Sequence, residues 1–532
     1  MDLAVDAPAE PLRCVVIRCP QTFDRHVSTA YVLPPIGPAY VAASIRAAGH
    51  RVRVIDATGG AIDRFVPLEA DPRILRRGLT DDEILEQIGD ADVIGFSLMF
   101  SQDWLETREL VRRVRREHPA AVLVGGGEHF TADPEGAMAS APLDFVLTGE
   151  GDRAIADLLE HVQGRREIEE VHGCWYRDGD QVRQTASSAR ILDIDQLPWP
   201  AWDLVPVEAY IDGHHMGAVD RGRSIPINAT RGCPFQCTFC SSPSMWTTRY
   251  VTRSPREVLK EMMAQIERYD VSNFEFVDLT AIVRKSWAME FAQLVIDADL
   301  GITWQLPSGT RSEALDDEVL ELLVRSGCLN ISYAPESGDP VTLARVKKRV
   351  HLDRMLVSMR SAVGAGCNVK ANMIFGFPGE TKWSILRSFG FLARMAAAGV
   401  HDISIAPLKA YPGSELFREL QAAGKVPDPL DDDYYRQLAV GVETVPFSTD
   451  PAPSFADGLT ARSLDRLRIA AMAWFFGLSW LLHPTRPFRV LRAVVTGRQE
   501  SRLDKSLVEL RRRRAAERSG AISPAPGPVN PF

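Results

Sequence analysis

Short apolar runs and stretches of helical periodicity alternate along the first third of the chain. Residues 14–19 (CVVIRC) predict a strand, residues 40–48 repeat apolar positions at helical spacing, and Gly49 ends that helix. Residues 51–55 (RVRVI), 91–98 (ADVIGFSL), 120–124 (AAVLV) and 144–147 (DFVL) predict four more strands, with a helix over 104–117. Such alternation builds βαβ units. Residues 11–160 are therefore read as a doubly wound parallel sheet whose ligand sits beyond the carboxyl ends of its strands. Residues 161–222, with turn signals (RDGD) and a Pro/Trp-rich stretch (LPWPAW), read as a folded linker with room for a hairpin.

From residue 224 the alternation resumes. Strands are predicted at 224–230 (SIPINAT), 274–279, 302–306, 329–334, 368–377 and 402–408, with helices over 254–268, 286–299, 316–326, 352–365 and 383–398. Six βα units are fewer than the eight of a closed barrel, so residues 223–415 are read as an open, partial (β/α)6 barrel of TIM type. Residues 416–514 turn helical, and the Pro/Gly/Ala-rich tail 515–532 reads as disordered.

Composition narrows the function. The 532 residues carry 61 Lys+Arg against 70 Asp+Glu, a formal charge of −9, with no extended basic block suited to gripping nucleic acid. No apolar run reaches the roughly 18 residues needed to span a bilayer, and the first residues are acidic where a signal peptide is basic. A cytoplasmic location is expected. Eight cysteines scattered over this length make no disulfide framework.

Three of them cluster: Thr230-Arg231-Gly232-Cys233-Pro234-Phe235-Gln236-Cys237-Thr238-Phe239-Cys240 follows directly on a predicted strand. Structural zinc normally takes four protein ligands, whereas three thiolates leave one iron of a [4Fe–4S] cluster open to a small molecule. A zinc knob completed by a distant residue and three unconnected core cysteines are the alternatives. Cys328 and Cys367, each beside a glycine, read as buried small residues.

A Cys-x3-Cys-x2-Cys loop opening a partial barrel resembles the radical S-adenosylmethionine (SAM) superfamily. The resemblance implies that Cys233, Cys237 and Cys240 hold the cluster, that SAM occupies the open iron, and that Phe239 packs near the adenine. Pro335-Glu336-Ser337-Gly338, followed by Lys347-Lys348, resembles the family segment whose polar side chains approach SAM, which points to Glu336 and Ser337. Asn372 to Thr381 (NMIFGFPGET) resembles its later glycine-rich segment, with Gly376 beside the adenine. Asp278 stands where relatives often carry an acidic residue.

The first domain has neither G-x-G-x-x-G after its first strand nor a P-loop, which disfavours NAD and ATP. Glycines cluster instead after the fourth and fifth predicted strands, in Gly125-Gly126-Gly127-Glu128-His129 and Thr148-Gly149-Glu150-Gly151. With Pro34 to Tyr40, Gly49 to Asp56 and Gly95-Phe96-Ser97, these segments resemble the cobalamin-binding domain that precedes the barrel in cobalamin-dependent radical SAM proteins. Ser97, Gly126, Gly127, His129, Gly149 and Glu150 are the cobalamin-contact candidates that the resemblance implies. Asp24-Arg25-His26 matches only the first half of D-x-H-x-x-G, so His26 reads as a loop residue and no lower axial histidine is expected.

The resemblance implies an enzyme using a [4Fe–4S] cluster, SAM and cobalamin, fed by an external electron donor of flavodoxin or ferredoxin type. Methylation of an unactivated carbon of a small molecule, through a 5′-deoxyadenosyl radical and methylcobalamin, is the outcome expected first. An oxidative cyclisation resembling that of the anaerobic magnesium-protoporphyrin ester cyclase is the alternative, and a non-enzymatic cluster or corrinoid sensor a third. The catalytic residues and the substrate are not readable. Residues 469–482 (IAAMAWFFGLSWLL) are too short to span a membrane. They read as a core helix, as a greasy wall admitting an apolar substrate, or as a peripheral membrane contact.

Overall fold

The computed structural model describes residues 10–25, 32–440 and 452–518. Its first sheet has seven strands in the order Gln181–Gln184, Cys174–Asp178, Phe145–Leu147, Val122–Gly126, Val93–Ser97, Arg13–Arg18 and Arg51–Asp56. The last five run parallel and the first two add antiparallel. The order reverses between Arg13–Arg18 and Val93–Ser97, the switch point at which doubly wound sheets open a crevice for ligand. Four of the five parallel strands have an apolar run because helices cover both faces, while the edge strand Arg51–Asp56 alternates Arg with Val. Ile17, Ile94 and Leu123 pack among Leu110, Val111 and Val114 on one side, while Val16, Val93 and Val124 pack among Ile155, Leu158 and Leu159 on the other.

The hairpin moves the domain boundary. Residues 174–184 belong to the first sheet rather than to a linker beginning at 161, because Val171 and Cys174 are buried beside Leu158 and Leu159. A small antiparallel sheet, Gln21–Asp24 with Ile74–Arg77 and Phe65–Pro67, also has no counterpart in the predicted elements.

Six parallel strands form the second sheet, in sequence order from Ser224–Ile227 through Asn273–Phe276, Thr303–Thr310, Cys328–Glu336 and Asn368–Phe375 to Asp402–Pro407. Among the described residues its first and last strands do not pair, so the barrel is open as expected. In Asn368–Phe375 the alternation is strict: Val369, Ala371, Met373 and Phe375 are buried in the core, while Asn368, Lys370, Asn372 and Ile374 are only half-buried. Helix Pro255–Tyr269 starts at Ser254, whose hydroxyl accepts from the Glu257 amide, with Pro255 in its first turn. A polar cavity of about 170 Å³ lies at the amino-terminal ends of the strands, lined by Gln305, Asn330, Asn368, Asp402 and Arg502. It is at the opposite end of the barrel from the cysteines.

The C-terminal region divides in two. Helices Glu415–Ala422 and Asp432–Ala439 pack into the core of the first domain through Phe417, Leu420, Tyr434 and Leu438, and Arg108 grips Asp432 at 2.9 and 3.0 Å. Helix Ala461–Leu482 instead covers the last barrel strand, antiparallel to it. Leu464 lies by Gly376, which follows the neighbouring strand Asn368–Phe375, Arg468 donates to the Ile405 carbonyl at 3.0 Å, and Arg486, just beyond the helix, donates to the Ser479 hydroxyl and to the carbonyls of Gly399 and Val400, which precede the last strand. Cys328 and Cys367 are buried core residues. The final helix, Arg502–Arg518, runs past residue 514, and the rest of the tail lies outside the described residues, as does His26.

Candidate active site

The strand Ser224–Ile227 ends at a corner held by Asp278. One carboxylate oxygen accepts from the Ala229 amide at 3.0 Å, from the Thr230 amide and from the Thr230 hydroxyl, while the other is buried without a protein partner. Burial pushes this carboxyl up to about 6. The chain leaving the corner carries the three cysteines. Their loop is pinned through Thr238, whose amide donates to Val346 and whose carbonyl accepts from Leu416, and through Phe235, whose ring lies 3.5 Å from the Arg311 guanidinium.

Cys233, Cys237 and Cys240 are partly accessible, and each stands close enough to another for its charge to be felt. Burial raises all three thiols, Cys240 to about 12, and the Lys348 and Arg311 charges pull Cys233 and Cys237 back. Among the described residues no three His, Cys, Asp or Glu side chains converge as a single metal ion requires. The three thiols therefore suit separate irons of a larger cluster better than one zinc. Lys348 is buried beside them with Glu336 at 2.9 Å, and Glu336 and Cys237 together outweigh burial to hold the ammonium above its usual range.

Phe239 sits 5.4 Å from Phe377, the residue after Gly376. Gly376 has φ +105°, and a Cβ there would stand 2.8 Å from Leu464, so neither the backbone nor the space admits a side chain. Glu380 accepts from the amides of Gly376 (2.7 Å) and Phe377 (3.3 Å), organising this turn from below, and burial raises its carboxyl to about 7. Phe239 thus packs on the residue that follows Gly376. Glu336 faces Lys348 with φ +64°, a strained conformation for a non-glycine residue. Ser337 is turned away: it is fully buried, with its hydroxyl accepting from the Asp339 amide and within reach of Ser388.

In the first domain, Ser97 and Gly126 pair at the strand ends, and Gly127 follows with φ +109°, where a Cβ would meet the Leu98 carbonyl at 2.6 Å. Gly126 and Gly149 face open space or ordinary contacts, and Met99 and Phe100 stand exposed beyond Ser97. Two further candidates lie deeper than Ser97 and the glycines. Glu150 is buried with its carboxylate engaged by Arg190, Arg231 and the Ile191 amide. His129 is fully buried among Trp104, Phe130 and Tyr435, its Nδ1 3.0 Å from the Ser101 hydroxyl and its Nε2 without a protein partner. Neither has the free polar surface that ligand contact requires.

Three features escaped the sequence. Glu128, next to Gly127, lies near enough to Cys240 for its charge to raise the thiol. Arg231, two residues before Cys233, reaches across to Asp152 at 2.6 and 3.0 Å and to Glu150 at 3.2 Å. Lys348, already singled out with Glu336, stands close enough to Cys233 and Cys237 to lower their thiols, a placement the sequence does not give. Each depends on segments distant in sequence, although Asp152 at the start of helix Gly151–Val162 beside a Gly-Glu-Gly turn was a signal of a kind.

The glycine loop of a doubly wound sheet thus abuts a three-cysteine loop at the open end of a partial barrel. Residues 26–159 match the family model of the B12 binding domain, and residues 227–392 match that of the radical SAM superfamily. The chain is a cobalamin-dependent radical SAM superfamily protein, an enzyme whose cofactors are a [4Fe–4S] cluster, SAM and cobalamin. It is 28% identical to the cytidylyl-2-hydroxyethylphosphonate methyltransferase of Streptomyces wedmorensis over 444 residues, 77% of this chain and 82% of that one. It is 26% identical to the anaerobic magnesium-protoporphyrin IX monomethyl ester cyclase of Rubrivivax gelatinosus over 396 residues, 73% of this chain and 66% of that one. In fold it resembles the cobalamin-dependent S-adenosylmethionine radical enzyme OxsB, with a TM-score of 0.67 at 14% identity, covering 97% of this chain and 82% of that chain.

Proposed function

We propose that the protein is a C-methyltransferase acting on an unactivated carbon of a small molecule. The observation that carries this reading is the packing of helix Glu128–Ala132, which follows the glycine loop, against helix Ser242–Trp246, which follows the third cysteine, so that the two loops face one another. When bound, these groups supply a radical able to take hydrogen from an unactivated carbon and a methyl group to replace it. The chain's share is positioning and exclusion of water. Cys233, Cys237 and Cys240 hold the cluster as thiolates. Phe239 and the Gly376 backbone offer a flat apolar wall for an adenine, with Glu336 and Lys348 at the polar end. Ser97, Gly126 and Gly149 leave a side-chain-free groove for an extended corrinoid tail, and Met99 and Phe100 give it an apolar rim. Reduction comes from an external one-electron donor of flavodoxin or ferredoxin type.

The expectation of an apolar substrate rested on residues 469–482, which include Trp474 and Trp480, forming a greasy wall of the substrate pocket. Helix Ala461–Leu482 carries both tryptophans toward the end of the barrel opposite the cysteines, with Trp480 next to Ser479 at the base, so they line no part of that pocket. Cyclisation is the second reading, favoured by the similarity to the ester cyclase. The deciding experiment is anaerobic incubation with SAM, reductant, hydroxocobalamin and candidate substrates, read by mass spectrometry. A gain of one CH2 supports methylation, and a loss of hydrogen without added carbon supports cyclisation. Cys237→Ala should lose the product and the cluster absorbance, whereas Cys328→Ala should keep both.

A further inference from the structure

Residues 461–518 hold 14 Lys or Arg against 5 Asp or Glu, a net of +9 on a chain whose formal charge is −9. The remainder of the chain is thus strongly acidic, and this one region is basic. The same region exposes apolar side chains. Helix Ala461–Leu482 buries Leu464, Arg468, Ala471, Phe475 and Ser479, and its outward face runs from Arg462 and Arg466 to Trp474, Trp480 and Leu481. Helix Arg486–Thr496 inverts the usual arrangement of a surface helix. It buries Arg486, Val490 and Ala493, and turns outward Phe488 (75% exposed), Leu491 (63%) and Val495 (67%). Arg462, Arg466, Arg492 and Arg498 are exposed and have no carboxylate partner among the described residues.

We propose that this face docks on the surface of an anionic lipid bilayer. Phe488, Leu491, Val495 and Leu481 enter the headgroup region, the indoles of Trp474 and Trp480 lie at the interface, and the unpaired arginines meet lipid phosphates. No helix among the described residues is long and apolar enough to cross a membrane, so contact is with the surface. A two-fold contact with a second copy would set this basic face against itself. Polyanions without an apolar phase leave the aliphatic stripe unburied. The face runs down the flank of the barrel from Arg462 and Arg466 at its mouth end to helix Arg486–Thr496 at its base. The inference is independent of which reaction the enzyme catalyses.

The test is sedimentation of the full chain with vesicles of phosphatidylcholine alone and of phosphatidylcholine mixed with phosphatidylglycerol, alongside sedimentation velocity without lipid. Binding is expected to the mixed vesicles, with a blue shift of tryptophan emission, and to fall roughly tenfold at high salt or on pure phosphatidylcholine. Phe488→Ser combined with Leu491→Ser should lower the partition by about tenfold or more. The melting temperature should not change, since both side chains are exposed. Absence of binding to mixed vesicles overturns the proposal. So does a concentration-dependent dimer that the same two substitutions dissolve, which would assign the face to a second copy.

Discussion

His129 stands beneath the glycine loop as a neutral imidazole that the fold will not let take a proton. Burial lowers it to about 3, against the ordinary 6.5, so the unfolded chain binds a proton in a range where the folded chain does not. The stability this gives is complete above about pH 6.5 and is lost as pH falls toward 3, at about 1.4 kcal/mol per pH unit. His129→Gln, which keeps a partner for Ser101, should therefore melt below the wild type at pH 7.5, with the gap closing as pH falls to 5; calorimetry across that range checks it. The sequence marked this histidine as a ligand-edge residue because a Gly-Gly-Gly-Glu-His run advertises backbone access. It does not reveal that Trp104 and Tyr435 close over the ring. The cysteines were legible for the opposite reason: their role is set by spacing within eight residues, and nothing distant needs to arrive.

Elements fared better than residues. Every barrel strand and each of the five predicted barrel helices falls within a few residues of where periodicity places it, because each is covered on a face whose repeat is written in the sequence, whereas the short helices Ser242–Trp246 and Pro340–Arg345 were not foreseen. The strands Gln21–Asp24, Phe65–Pro67 and Ile74–Arg77 were not legible, being three or four residues long and of mixed polarity. Nor was the link between strand end and helix start across the domain junction. Burial opposes the Arg231 charge, yet Asp152 and then Glu150 overcome it and hold the guanidinium above its ordinary range. Removing one partner of such a buried set costs about 3–5 kcal/mol, because the rest remain charged and dry. Arg231→Met should lower stability by that amount, and adding Asp152→Asn should recover a large part of it. Denaturant melts of the two single variants and the double variant form the cycle, and additive losses would show that the pair is not coupled.

At the scale of the whole molecule, the first domain ends later than its alternating pattern suggests. A fragment of residues 10–160 would leave Phe145–Leu147 as an unprotected apolar edge and strip Val171 and Cys174 from the core. It is expected to aggregate at lower concentration than a fragment of residues 10–190, which keeps that edge covered although both lack the helices at 415–439; size-exclusion chromatography of the two over a concentration series decides. Helices Glu415–Ala422 and Asp432–Ala439 then tie this domain to the far end of the chain, so its final packing waits on residues made much later. The Arg231 bridge runs in the other direction. During synthesis Asp152 and Glu150 leave the ribosome well before Arg231 and the cysteines that follow it, and amino-terminal units fold first. The cluster-binding loop therefore emerges beside a template that is already in place. Its stem is captured as it appears, which shortens the time three exposed thiols spend unguarded before iron and sulfide reach them.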